Sequence, residues 1–147
     1  MKIVDDDLLN RFRSSGRCEM CRKQCKQREP HHHRRKGFGS GARLDVAINL
    51  VAVGSSALFC CGCHGSIHAG EIPNSEVLAA IAKREKERPE DIEEALFILE
   101  RLPKNATSER IEAETDAVSA AVRNLVWKAI GNWIGASQDN YKRGGGQ

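Results

Sequence analysis

No apolar run in the 147 residues approaches the roughly eighteen needed to cross a bilayer, so the chain is not expected to span a membrane. The first ten residues carry three consecutive aspartates and lack the apolar h-region of a secretory signal. A reducing cytoplasm is the compartment that follows. Disulfides are not expected there, and the six cysteines read instead as thiols or metal ligands. Internal repeats are missing too. Between Ser15 and Gly41 there is little apolar periodicity, so burial alone cannot hold that stretch together and a metal is the natural substitute.

What is present is distributed unevenly. Arg11 to Arg43 holds eleven Lys/Arg against two acids, a net of +9, whereas Glu71 to Asp116 holds thirteen acids against seven bases, a net of −6. The first segment suits a polyanion such as a phosphate backbone, and a solvated basic face is the plainer reading. Val4, Leu8, Leu9 and Phe12 predict a short amphipathic helix over residues 4–14. The run Val46, Ile48, Leu50, Val51 and Val53 predicts a strand, and Cys63 to His68 the start of a short helix that stops near Gly70. Beyond Pro73 the pattern is helical, with one helix from Asn74 or Ser75 to about Glu87 and a second from Pro89 to before Pro103. A longer helix is expected from Ser108, with the stripe Ile111, Thr115, Val118, Val122, Leu125, Ala129 and Trp133 as core packing. Residues 138–147, with three glycines, read as a disordered tail.

Two C-x2-C pairs stand about forty residues apart, Cys18/Cys21 and Cys60/Cys63. A two-residue spacing lets both thiolates of a tight turn reach one zinc ion, and two such turns close a four-cysteine structural site. Cys61 could take the place of Cys60; the spacing to Cys63 favours Cys60. All five histidines lie at 31, 32, 33, 64 and 68. His64 and His68 are one helical turn apart and share a face, as two ligands of one ion require. A third imidazole from the triplet would complete three protein ligands and leave positions open for water and a phosphate oxygen.

His32-His33-Arg34-Arg35-Lys36-Gly37, then Asn49-Leu50, then Cys63-His64-Gly65-Ser66-Ile67-His68 resemble the HNH endonucleases with a ββα-metal core. The likeness covers about residues 17–70 and is greatest to the small bacteriophage-encoded members of the zinc-containing branch. It implies an α+β fold with a ββα-metal HNH core and a four-cysteine zinc knuckle (17–72), which patterning and composition flank with an N-terminal helix (1–16), a helical C-terminal region (73–137) and the tail (138–147). It also implies roles. His32, His64 and His68 would bind the catalytic metal, His33 would be the general base, and the Asn49 amide would tie the loop carrying that base. Cys18, Cys21, Cys60 and Cys63 would hold the structural zinc. The triplet also permits His31 as ligand and His32 as base, but the following Arg-Arg-Lys-Gly favours the first register. Gly54 to Leu58 looks like an inserted loop.

The activity implied is hydrolysis of DNA phosphodiesters, with double-stranded DNA contacted mainly through its backbone. A neutral imidazole suits proton removal from water near neutral pH. Arg34, Arg35 or Lys36 would clamp flanking phosphates. The catalytic ion could be magnesium, manganese, nickel or zinc. A non-catalytic zinc module that binds nucleic acid is the alternative, although it would not need five placed histidines. A further one is an accessory of a phage DNA-packaging machine, with a protein partner on the helical region. Oligomeric state stays open.

Overall fold

The computed structural model describes residues 1–34, 43–55 and 60–131. Arg35, Lys36, Trp133 and the expected tail lie outside these residues. The fold is α+β, with small sheets and several helices. Among the described residues, no helix is long and apolar enough to cross a membrane.

Strand β1 (Lys2–Ile3) leads into α1 (Asp6–Arg13). Asp5 caps that helix: its Oδ1 accepts the Leu8 N–H at 2.9 Å and satisfies one of the amides a helix start leaves open. A hairpin follows, β2 (Gly16–Arg17) against β3 (Gln24–Cys25), and the Cys18/Cys21 turn forms its tip. Strand β4 (Arg28–His32) pairs antiparallel with β6 (Leu50–Gly54), so that His31 faces Val51 across the ladder and His32 faces Leu50. Between them come β5 (Arg43–Leu44), parallel to β1, and a 3-10 turn at Ala47–Asn49. Residues 50–54 are all buried, in keeping with the unbroken apolar run.

Helix α2 (Cys63–His68) follows β6, giving the order strand, strand, helix around the histidines. Gly62 precedes it with φ 71°, a left-handed conformation that favours glycine, and Gly70 ends it with φ 78°. Helices α3 (Asn74–Glu85) and α4 (Pro89–Arg101) then pack on each other, and α3 also lies on β6 and the 3-10 turn. Their inward residues Val77, Ile81, Ile92, Leu96 and Leu99 are fully buried and share one hydrophobic core with Ile3, Val51, Val53 and Ile67. That core runs across the boundary expected at residue 72.

The long helix expected from Ser108 is two. Helix α5 (Ser108–Thr115) stops, residues 116–119 are non-helical, and residues 120–131 are helical again. Local polar groups cause the break. Ser119 Oγ accepts the Val122 N–H at 3.3 Å, and Arg123 Nε donates to the Thr115 carbonyl left open at the end of α5, at 3.2 Å. The apolar stripe survives it, since Ile111, Thr115, Val122, Leu125 and Ala129 are all buried.

Candidate metal centres

Four sulfurs converge where the hairpin tip meets the start of α2. Cys18, Cys21, Cys61 and Cys63 lie with their Sγ atoms all within 4.8 Å of one another and could hold a metal ion such as zinc. The tip is shaped by backbone hydrogen bonds, Cys18 N–H to the Lys23 carbonyl at 2.8 Å and Arg22 N–H to the Cys18 carbonyl at 2.9 Å. Arg84 of α3 fixes it to the core: its guanidinium holds both Glu19 carboxylate oxygens, at 2.8 and 2.9 Å, and also donates to the Leu50 and Ala47 carbonyls.

The fourth sulfur is Cys61, not Cys60. Cys60 forms a disulfide with Cys25 of β3, which also corrects the expectation that no disulfide is present. Chain spacing favours Cys60. The left-handed turn at Gly62 decides otherwise by redirecting the chain just before Cys63. Burial works against ionising these thiols, but hydrogen bonds from the neighbouring cysteines bring Cys61 down to about 7. The same crowding, added to burial, pushes the Cys63 thiol up. Four sulfurs this close are a set that a metal would complete by displacing thiol protons. Gly54 makes room for it: a Cβ there would meet Cys60 Sγ at 2.8 Å and Cys61 Sγ closer still.

The second centre is made of imidazoles. His31, His64 and His68 bring one ring nitrogen each within 4.8 Å of the others. The Nε2 atoms of His64 and His68 are 3.0 Å apart, and the His31 ring lies 5.5 and 5.1 Å from the two rings, edge on. Three neutral imidazoles are a donor set for a borderline divalent ion. Glu29 bonds the His64 Nδ1 and so turns Nε2 toward the other two rings, as carboxylates behind metal-binding histidines do. Glu29 and His31 are two residues apart on β4, hence on one face of it.

His31, not His32, joins His64 and His68. His32 is not one of the three, and its Nε2 meets Asp45 Oδ1 at 2.7 Å. Asp45 is 1% exposed and also takes Arg43 and the Asp5 N–H. Burial would raise its carboxyl, but the bonds from Arg43 and His32 outweigh burial and hold it below the usual range. His33, expected to be the base, is buried with both nitrogens engaged. Nδ1 bonds Asn74 Oδ1 at 3.0 Å and Nε2 bonds Glu93 of α4. With a partner on each ring nitrogen, neither is free to take a proton from water. Asn74 thus spends its side chain on His33 rather than on capping α3.

Asn49 is fully buried and ties the two ends of the 35–42 segment. Its Oδ1 accepts the Arg34 N–H at 2.8 Å, while Nδ2 donates to the carbonyls of Leu44 at 3.0 Å and Arg34 at 3.2 Å. Arg34, expected on phosphate, is committed elsewhere, to Glu93 at 2.7 Å and Glu100 at 2.9 Å. Sequence reasoning missed Glu29, Asp45, Asn74 and Glu93. Strand periodicity could have found Glu29, two residues before His31; nothing local signals the other three. Comparison with protein-family models, with curated proteins and with solved structures returns no match.

Proposed function

We propose that this chain is a metal-dependent endonuclease that hydrolyses DNA phosphodiester bonds at the His31/His64/His68 centre. The observation that supports it most is the convergence of three imidazoles from a strand and a following helix, beside a histidine that carries a carboxylate. In this reading the pair expected at His32 and His33 moves back by one residue, with His31 as ligand and His32 as base. A divalent ion on the three imidazoles would supply Lewis-acid stabilisation of charge on the phosphoryl and leaving oxygens.

The chain supplies the proton transfer and the positioning. His32, paired through Nε2 with Asp45, would take the proton from water at Nδ1. The carboxylate fixes the tautomer and stabilises the imidazolium as the water attacks phosphorus in line and the 3′-oxygen departs. Asn49 holds the backbone of Arg34 and Leu44, on either side of residues 35–42. The four-cysteine set braces the first turn of α2, from which His64 and His68 project.

Plasmid cleavage tests the reading. The wild type should nick supercoiled DNA with added manganese, nickel, magnesium or zinc. His64→Ala should abolish nicking and lower metal uptake at this centre. His32→Ala should abolish nicking with metal uptake intact, and His33→Ala should retain measurable nicking while losing stability. Cutting by His32→Ala together with none by a folded His33→Ala would return the base to His33. No nicking by the wild type with any of these ions would sink the enzyme reading.

A further inference from the structure

We infer that the hairpin bearing the cysteine turn, with the last turn of α1 beside it, is a docking surface for the phosphate backbone of duplex DNA. This rests on the nuclease reading for the kind of polyanion, although the surface is argued from its own residues. Arg11, Arg13, Arg17, Arg22, Lys23 and Lys26 are all exposed. None of them takes part in an ion pair among the described residues, whereas Arg84, Arg88 and Arg110 of the helical region are each paired with a glutamate. Between Leu8 and Arg28 the only acid is Glu19, and Arg84 already holds it. Unpaired cations this close together repel one another, so the surface is stabilised by an external polyanion.

Two elements are locked into this one surface by Arg28. Its guanidinium donates to the Ser14 carbonyl and hydroxyl at the end of α1 and to the Arg17 carbonyl in β2. A Cβ at Gly16 would press on that guanidinium at 2.8 Å, so the glycine permits the close approach. The acids of α1, Asp6 and Asp7, lie at its opposite end. Arg28 is also three residues before His31 on β4, about 10 Å along the strand. Arg28 itself lies on the other face of β4 from His31, since the two are an odd number of residues apart. The surface offers no exposed aromatic ring, since Phe12 lies under Arg84, so it lacks the stacking platform that single strands use. With Arg34 bound to glutamates, this surface takes over the phosphate contacts expected of that residue.

Binding to a fluorescent DNA duplex of about 20 base pairs, measured against salt without added divalent ion, tests the surface in the full-length protein. The triple variant Arg11→Glu, Lys23→Glu, Lys26→Glu should bind at least tenfold more weakly. Its log–log salt slope should be shallower by about 2.7, at about 0.9 for each phosphate that is no longer neutralised. Melting temperature and zinc content should not change. If they do, Lys23→Gln with Lys26→Gln decides, weaker binding supporting the surface and unchanged binding overturning it. Equal affinity and slope in a folded triple variant overturn it, as does a wild type that ignores duplex DNA or prefers folded RNA. A wild type that binds duplex through these residues yet cuts with no metal keeps the surface and removes only the nuclease.

Discussion

Asn49 has no exposure to water, and its amide has no alternative to the three backbone groups it binds. Asn49→Ala should therefore cost about 2–3 kcal/mol, since it strands both a donor and acceptors where solvent reaches poorly. The measurement is the denaturant midpoint. Asn49→Asp should not recover the loss at neutral pH, because its buried carboxylate would face the carbonyls of Arg34 and Leu44. At the sulfur centre, Cys60→Ala should retain zinc supplied to the folded protein and Cys61→Ala should not, by metal analysis after gel filtration. Equal zinc loss in both would overturn the choice of Cys61. Cys18 with Cys21, and His64 with His68, were legible as groups in the sequence because each pair sits within one turn of chain, where spacing fixes geometry. Choosing between Cys60 and Cys61, or among His31, His32 and His33, was not. There a shift of one residue reverses the direction of a side chain, and β6, α2 and the Gly62 turn set which way is inward.

At the scale of elements, α4 is coupled to the end of β4 by charge. Glu93 holds both His33 and Arg34, and Glu100 holds Arg34 again. Burial would raise the Glu93 carboxyl, but bonds from His33 and Arg34 outweigh it and hold it below its ordinary value. A depressed carboxyl contributes stability that is present above its unfolded pKa and is lost as pH falls through the folded one. The wild type should thus lose stability as pH falls through and below the ordinary carboxylate range, and Glu93→Gln should start lower but lose less over that window. Chemical denaturation at a series of pH values checks this, and parallel curves would rule Glu93 out as a source of the acid limb. The helices α3 and α4 could be read from apolar spacing and from Pro89. Their attachment to the histidine loop could not, because it depends on partners about sixty residues apart. The break at residues 116–119 was hidden by an apolar stripe that continues through it.

Taken whole, the molecule does not divide where its composition does. The basic segment and the acidic helical segment differ sharply in charge, yet Val51 and Val53 of β6 are fully buried in the same core as Val77, Ile81, Ile92, Leu96 and Leu99. Each of those large side chains contributes about 1.5–3 kcal/mol by its burial, so losing the helical partners of β6 removes several such contributions at once. Arg84 adds a polar clamp from α3 to the cysteine turn, and the Met1 ammonium donates to the Glu100 carbonyl at 3.1 Å on α4. Zinc can fold a small domain by itself, so a fragment of residues 1–72 with its four cysteines is a fair test of whether metal or core dominates. We expect that fragment to bind zinc at the cysteine turn yet to lack a fixed fold, with collapsed amide-proton dispersion and no cooperative melt. Without α3 and α4, one side of β6 and the glutamates that hold His33 and Arg34 are missing. A well-dispersed, cooperatively melting fragment would show instead that the zinc-braced half is autonomous and that the helices were added to a finished core.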